Sequence, residues 1–362
     1  MRVVIAGGGT GGHLFPGLAV ARALKARLPA AQISFAGTST GIEARIIPST
    51  EFELDVIRSG GLKGKSLVVV ARGLGLLPLS GFDAWRLISR RKPDVVIGVG
   101  GYSSGPVVGV AVARGIPALL MEQNAVPGIT NRLLAPLVQS AAVTYDASLA
   151  YFGRKGFVSG NPVRREFLHV DDAAVHAASI RVLIVGGSQG AHAINVAVAE
   201  AATRLARSGD APAISIVCQT GTRDFDMVRD AFQRSGVQGR VERFIDAMDR
   251  EVAAAGLIVS RAGATTLAEI TAAGRPAILV PLPSAADDHQ RKNAEALHAA
   301  GAAEVIDQHT LTGGLLADRI FALAGDRAKR LQMAAASRRL ARPDAAERIV
   351  DEVIRLGKRG AS

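Results

Sequence analysis

The chain carries two short apolar strands that each run into a glycine-rich turn, one at its start and one near its middle. The first reads Val3-Val4-Ile5-Ala6, then Gly7-Gly8-Gly9-Thr10-Gly11-Gly12-His13. The second reads Val182-Leu183-Ile184-Val185, then Gly186-Gly187-Ser188-Gln189-Gly190-Ala191. A strand that turns tightly and opens a helix aims backbone N–H groups at whatever lies above the turn. The scarcity of side chains lets a pyrophosphate or a sugar approach the backbone closely. Two such half-sites predict two nucleotide-binding-type domains facing each other across a cleft. That fold suits moving a group from a nucleotide-linked donor to a second substrate.

A length of 362 residues accommodates two domains of ordinary size. The chain is 48% apolar and 21% charged, which excludes wholesale disorder. A single cysteine, Cys218, excludes an internal disulfide and a Cys-based zinc site. The histidines show no metal-ligand spacing, so neither a metal nor a cofactor is expected. The N-terminus enters a strand directly and leaves no room for a signal peptide. No run reaches the ~18 apolar residues that span a bilayer. The most apolar stretch, Leu67 to Phe82, is broken by Arg72, Pro78 and glycines. The chain therefore reads as soluble and cytoplasmic.

Its net charge of +11 is unevenly spread. Arg58, Lys63, Lys65, Arg72, Arg86, Arg90, Arg91 and Lys92 are opposed in that segment only by Asp83. A basic surface attracts nucleic acid, anionic lipid or a phosphorylated substrate alike. With 4% aromatic residues and no nucleic-acid-binding motif, nucleic acid is the weakest of these partners. Leu76, Leu79, Phe82, Trp85 and Ile88 recur at three-residue spacing around Pro78, a proline that suits a first helical turn. Periodicity alone favours a core-facing stripe. The flanking cations favour instead a segment lying on anionic lipid, with Trp85 at headgroup level.

Apolar β-branched runs alternate with alanine-rich, helix-like segments: Val3–Ala6, Ile33–Ala36, Val95–Val99, Ala118–Met121, Val182–Val185, Ile214–Cys218, Leu257–Ser260 and Ala277–Val280. Continuous apolar strands separated by helices predict buried parallel sheets in an α/β fold, two doubly wound Rossmann-like domains. The domains are expected at 1–162 and 163–343, hinged at Pro162, with Pro343 preceding a terminal amphipathic helix Ala345–Leu356. Gly7–Gly12 does not fit the dinucleotide fingerprint, because no carboxylate follows the next strand until Glu43, so a nicotinamide dehydrogenase is disfavoured. A third turn, Gly98 to Gly105, and the segment Glu122-Gln123-Asn124 each follow a strand. Ligand crevices form at the carboxyl ends of strands, which should bring His13, Tyr102, Glu122 and Asn124 to one mouth.

Six segments recur here in the order found in one family: Thr10–His13, Gly100–Tyr102, Glu122–Asn124, Gly160-Asn161-Pro162-Val163-Arg164, Gly186–Ala191 and Ser260-Arg261-Ala262-Gly263-Ala264-Thr265. On them the chain resembles the MurG family, the family 28 peptidoglycan N-acetylglucosaminyltransferases that convert lipid I to lipid II. The resemblance implies a B-type glycosyltransferase fold in which the terminal helix, 344–362, packs back on an N-terminal acceptor and membrane-docking domain. It implies a C-terminal domain that holds UDP-N-acetylglucosamine. Ser188 and Arg164 match positions around the phosphates, Ile245 lies beside uracil through its backbone, and Glu269 takes the ribose hydroxyls. Ala264, Thr265, Thr266, Leu267 and Ala268 line the turn and helix start beneath the nucleotide, and Gln290, with His289, is near the sugar hydroxyls. Thr10, Gly11, Gly12 and Asn124 reach the donor from the N-terminal half. Inverting displacement needs a base near the attacking hydroxyl, and His13, with an ordinary pKa of ~6.5, suits that role. The implied location is the cytoplasmic face of the inner membrane, held peripherally, with protein partners unspecified. Cys218, Gly256 and His289 depart from residues common in the family.

Blander roles stand beside these. His13 could cap a helix, Glu122 could be a structural carboxylate, Glu269 could lie on a solvated helix face, and Tyr102 could serve packing. A UDP-sugar epimerase or a non-catalytic nucleotide-sugar-binding regulator on the same fold are the rival functions.

Overall fold

The computed structural model describes residues 1–60, 67–168, 170–187, 190–206, 213–285 and 288–359. The chain divides into two compact units, Met1–Val163 with Arg342–Ser362, and Arg164–Ala341. Among the described residues, the first holds β1 (Arg2–Gly7), β2 (Gln32–Gly37), β3 (Glu53–Val56), β4 (Val95–Gly100), β5 (Ala118–Glu122), β6 (Ser140–Val143) and β7 (Gly156–Val158), in the order β3-β2-β1-β4-β5-β6-β7. The second holds β8 (Ile180–Val185), β9 (Ile214–Gln219), β10 (Gly239–Glu242), β11 (Leu257–Ser260), β12 (Ala277–Leu279) and β13 (Ala303–Val305), in the order β10-β9-β8-β11-β12-β13. Adjacent strands pair parallel in both sheets.

Each sheet winds outward from its first strand and then returns to the other side. The switch points fall between β1 and β4 and between β8 and β11, where ligands bind at the carboxyl ends. Both faces are covered, and the strand residues divide between them by their alternation. Val3 and Ile5 pack with Leu14, Leu18, Ile349 and Val353, whereas Val4 and Ala6 pack with Ala84, Ile88 and Val107. In the second unit Val182 and Ile184 face Ile194 and Val198, whereas Leu183 and Val185 face Leu267 and Ile270. The terminal helix Ala345–Arg359 buries Ile349, Val350, Val353 and Leu356 in the core of the first unit, beside the helix Gly11–Arg27.

Three details differ from the sequence expectations. The short strands β3, β6, β7, β10 and β13 carry too few residues to show a pattern and were not anticipated. Pro78 lies inside the helix Leu67–Arg91, not in its first turn. The three-residue stripe is also not one face. At about 100° per residue, nine residues from Leu79 to Ile88 amount to about half a turn of offset. Ile88 is accordingly buried, whereas Leu79, Phe82 and Trp85 are exposed by 42%, 61% and 53%.

Candidate active site

In the second unit the expected residues gather along one edge because each follows the carboxyl end of a parallel strand. The turn from Gly186 follows β8, Ile245 follows β10, Arg261 to Glu269 follow β11, and Gln290 follows β12. Gly187 and Gly190 adopt φ of +87° and +77°, and a Cβ on Gly190 would strike the Thr220 carbonyl, so the turn requires glycine there. Ser188 lies outside the described residues. Gln219, at the end of β9, ties the rim together. Its buried amide donates through Nε2 to the Gly187 carbonyl at 3.0 Å and accepts the Ile245 N–H at 2.8 Å. No local sequence pattern marks this clamp. The Cys218 thiol is fully buried, which pushes its pKa up to about 12 and leaves it unreactive.

The helix Ala264–Ala272 starts from Gly263, which has no side chain to offer as a cap, and its first turn holds no acidic residue. The helix start therefore keeps its partial positive charge, which favours an anion. Ala264 and Leu267 are buried, whereas Thr265, Thr266, Ala268 and Glu269 are half-buried. Glu269 Oε1 lies 3.5 Å from Arg164 Nη2, and the Arg164 guanidinium also stacks 4.8 Å from the Phe167 ring centre. Burial pushes the Glu269 carboxyl up to about 7 against the opposing pull of Arg164. Glu269 is thus not on a solvated face.

Gln290 Oε1 accepts the Leu282 N–H at 3.1 Å, which fixes its amide at the start of the helix His289–Ala299. Arg261 donates to the carbonyls of Val280 and Pro281 and to Gln308 Oε1, and buried Asn293 donates to the Ala262 carbonyl at 3.3 Å. Burial lowers the pKa of Arg261. These two side chains brace the loops after β11 and β12. Their bracing role is legible only once the strands are adjacent.

In the first unit His13 Nδ1 stands 3.3 Å from both the Gly8 carbonyl and Thr10 Oγ1. A carbonyl only accepts, so the Gly8 contact is a hydrogen bond in the tautomer that carries its proton on Nδ1 and its lone pair on Nε2. The imidazole lies against Gly100 at the end of β4, where a Cβ would come within 2.9 Å of its Cδ2. Gly11 and Gly12 share the first helical turn with His13, and Thr10 is the residue before it. One expectation changes here. The Gly9 N–H does not point to an incoming ligand; it donates to Glu43 Oε2 at 2.7 Å.

Glu122 is buried and accepts from the Asn124 N–H at 2.9 Å, Asn124 Nδ2 at 3.2 Å, the Gly128 N–H at 3.0 Å and Asn131 Nδ2 at 2.9 Å. Burial raises its pKa against those bonds. Its carboxyl braces the loop that carries Asn124, and it is not presented at the surface. Tyr102 is 48% exposed at the neighbouring turn. Among the described residues, no three His, Cys, Asp or Glu side chains are grouped to hold a metal ion.

Away from the strand ends, Leu79, Phe82 and Trp85 stand exposed, with Arg114 stacked 4.7 Å over the Trp85 ring. Ile129, Leu133 and Leu137 are exposed on the segment beginning with the helix Ile129–Leu134. Several cations of the basic stretch are matched internally. Arg58 pairs with Asp83 at 2.7 Å, and Arg90 and Arg91 pair with buried Asp55 at 2.5 and 2.8 Å. Arg86 is exposed, whereas Lys63 and Lys65 lie outside the described residues, as does the side chain of Arg72. No helix among the described residues is long and apolar enough to cross a membrane.

Comparison with known proteins agrees with this architecture. Residues 3–143 match the glycosyltransferase family 28 N-terminal domain, and residues 181–349 match the family 28 C-terminal domain. The chain is 45% identical over 362 residues to the UDP-N-acetylglucosamine--N-acetylmuramyl-(pentapeptide) pyrophosphoryl-undecaprenol N-acetylglucosamine transferase of Anaeromyxobacter dehalogenans strain 2CP-C, covering 99% of this chain and 94% of that one. The like-named protein of Myxococcus xanthus is 42% identical, over 98% and 93% of the two chains. The crystal structure of Acinetobacter baumannii MurG superposes with a TM-score of 0.79 at 31% identity, covering 98% and 99%. A UDP-GlcNAc 2-epimerase from Neisseria meningitidis superposes with a TM-score of 0.69 over 98% and 100% at only 14% identity, a likeness of fold alone.

Proposed function

The chain belongs to glycosyltransferase family 28, and from that premise we infer that it transfers N-acetylglucosamine from UDP-N-acetylglucosamine to lipid I, giving lipid II for peptidoglycan. The observation that carries this reading is the Arg164–Glu269 pair at the helix Ala264–Ala272, whose first turn brings no acidic residue. A carboxylate accepts the two vicinal ribose hydroxyls, and a guanidinium and a helix start both favour a diphosphate. The Ile245 N–H is held by Gln219, so its backbone offers uracil a carbonyl. Gln290 is the amide for the sugar hydroxyls, and Ala264 to Ala268 form the floor. Ser188 belongs to the same phosphate turn by sequence.

In the reaction the muramyl 4-hydroxyl attacks the anomeric carbon from the face opposite UDP. The new C–O bond forms as the bond to the diphosphate oxygen breaks, and its electron pair leaves with UDP. The hydroxyl proton passes to His13 Nε2, the ring atom left basic by the Nδ1 contact. Thr10, Gly11, Gly12 and Asn124 are the first unit's residues for the sugar nucleotide. Charge on the departing diphosphate is met by Arg164 and backbone N–H groups. The anomeric proton coupling of the disaccharide product tests the inversion: a β-linked product is expected, and an α-linkage would overturn it.

The enzyme docks peripherally on the anionic cytoplasmic leaflet through Leu79, Phe82 and Trp85. The apolar exposure of these side chains beside Arg86 and Arg114 supports this reading. With Arg58, Arg90 and Arg91 already paired, the apolar contribution carries more of the attachment than the residue charges suggest. Sedimentation with vesicles rich in anionic lipid tests it, and no binding at any lipid composition would contradict it.

A further inference from the structure

Glu43 is fully buried in the first unit, next to the residues around His13. Its Oε2 accepts the Gly9 N–H at 2.7 Å, and its Oε1 accepts the Thr38 N–H at 2.8 Å and Thr38 Oγ1 at 3.0 Å. Thr38 Oγ1 in turn accepts the Gly41 N–H at 3.1 Å. The carboxyl sits in a cradle that side chains would close: a Cβ on Gly8, Gly37 or Gly41 would collide with it. A strand–turn–helix turn ordinarily offers such N–H groups to an anionic ligand. Here an anion from the chain itself occupies that place. The bridge reaches from the end of β2 to the turn after β1, and it grips that turn one residue from Gly8. Gly8 supplies the carbonyl opposite His13 Nδ1, and a Cβ on Gly101 would come within 2.6 Å of the same oxygen. Gly101 thus packs closely over that oxygen without touching it through a side chain, and the oxygen faces the Nδ1 edge of His13.

We propose that Glu43 is a positioning residue of the transferase, an internal anion that fixes the Gly7–Gly9 turn so that the Gly8 carbonyl holds His13 with its lone pair on Nε2. The proposal rests on His13 as the base. It assigns the first glycine turn to holding the base, with the Gly9 N–H committed to Glu43.

Glu43→Gln keeps the shape but replaces one acceptor by a donor facing an N–H. Its kcat is expected to fall about ten- to a hundredfold, the scale of a small misplacement of a reacting group. Donor KM stays within about twofold, since the change touches only the reacting step. The acid limb of the kcat–pH profile moves to lower pH, because the imidazolium loses a well-placed acceptor for its Nδ1–H. On a His13→Ala background Glu43→Gln should cause no further loss, the non-additivity expected of groups acting as one unit. Thr38→Val, which removes the hydroxyl that donates to Glu43 and accepts from the Gly41 N–H but leaves the carboxylate in place, provides a second variant and should give the same signature at smaller amplitude.

Unchanged kcat in Glu43→Gln, with His13→Ala still crippled, overturns the assignment and leaves the base reading intact. A Glu43→Gln loss repeated in full on the His13→Ala background also overturns it, since the carboxylate then acts through something else. A His13→Ala loss below about tenfold, far less than a general base supplies, overturns the base reading and this proposal together.

Discussion

Arg164 Nη2 stands 3.5 Å from Glu269 Oε1, so the two residues assigned to adjoining groups of the donor, phosphate and ribose, are ion-paired with each other. Both have a partner before the nucleotide arrives, and binding must exchange that partner for ligand oxygens. Burial holds the Glu269 carboxyl up at about 7. A ribose diol donates to the ionised form, so donor affinity should rise with pH through about 7. Isothermal titration with UDP-N-acetylglucosamine checks this. Glu269→Gln should bind more weakly above that value and lose most of the pH dependence.

The same shift fixes a stability trend. The folded carboxyl binds its proton more tightly than the unfolded one, so its stabilising contribution is complete below the unfolded pKa. It is lost as pH rises through about 7. Glu269→Gln should therefore raise the melting temperature more at about pH 8 than at about pH 4, measured by calorimetry without ligand.

His13→Ala should lower kcat about 10²–10⁴-fold, the usual contribution of a general base. UDP affinity should remain near that of the parent, because the change removes a group used only at the attacking hydroxyl. Steady-state kinetics beside UDP titration separates the two effects.

Gln219→Leu leaves the Gly187 carbonyl and the Ile245 N–H without their shared partner. Ile245 is buried, so its stranded N–H costs about 1–3 kcal/mol, whereas exposed Gly187 turns its carbonyl to water, and the loss should appear in urea unfolding. Donor binding should weaken as well, because both groups lie on the nucleotide rim. A stable variant with unchanged donor affinity would remove Gln219 from the site.

Phe82→Ser with Trp85→Ser should reduce partition onto anionic vesicles by about tenfold or more, since burying each ring is worth about 1.5–3 kcal/mol. Turnover of a water-soluble lipid I analogue should be unaffected. Equal losses in both assays would make these side chains structural.

The sheets were legible because their central strands are unbroken apolar runs ending in glycine, as Val3–Gly7 and Val182–Gly186 show. The edge strands β3 and β10 had no such pattern, being four residues long with exposed positions. Motifs located the rim residues, but not what holds them. Glu43, Gln219 and Arg261 act on neighbours brought close by strand order rather than by spacing, so no local pattern betrays them. Pro78 misled for a related reason, since a proline marks a helix start only when the chain before it is not already helical.

UDP release from UDP-N-acetylglucosamine, followed with and without a lipid I analogue, tests the central claim most directly. Release that depends on the acceptor and is abolished by Arg164→Ala is the predicted result. Binding of the sugar nucleotide with no acceptor-dependent release would contradict the transferase and leave only the fold.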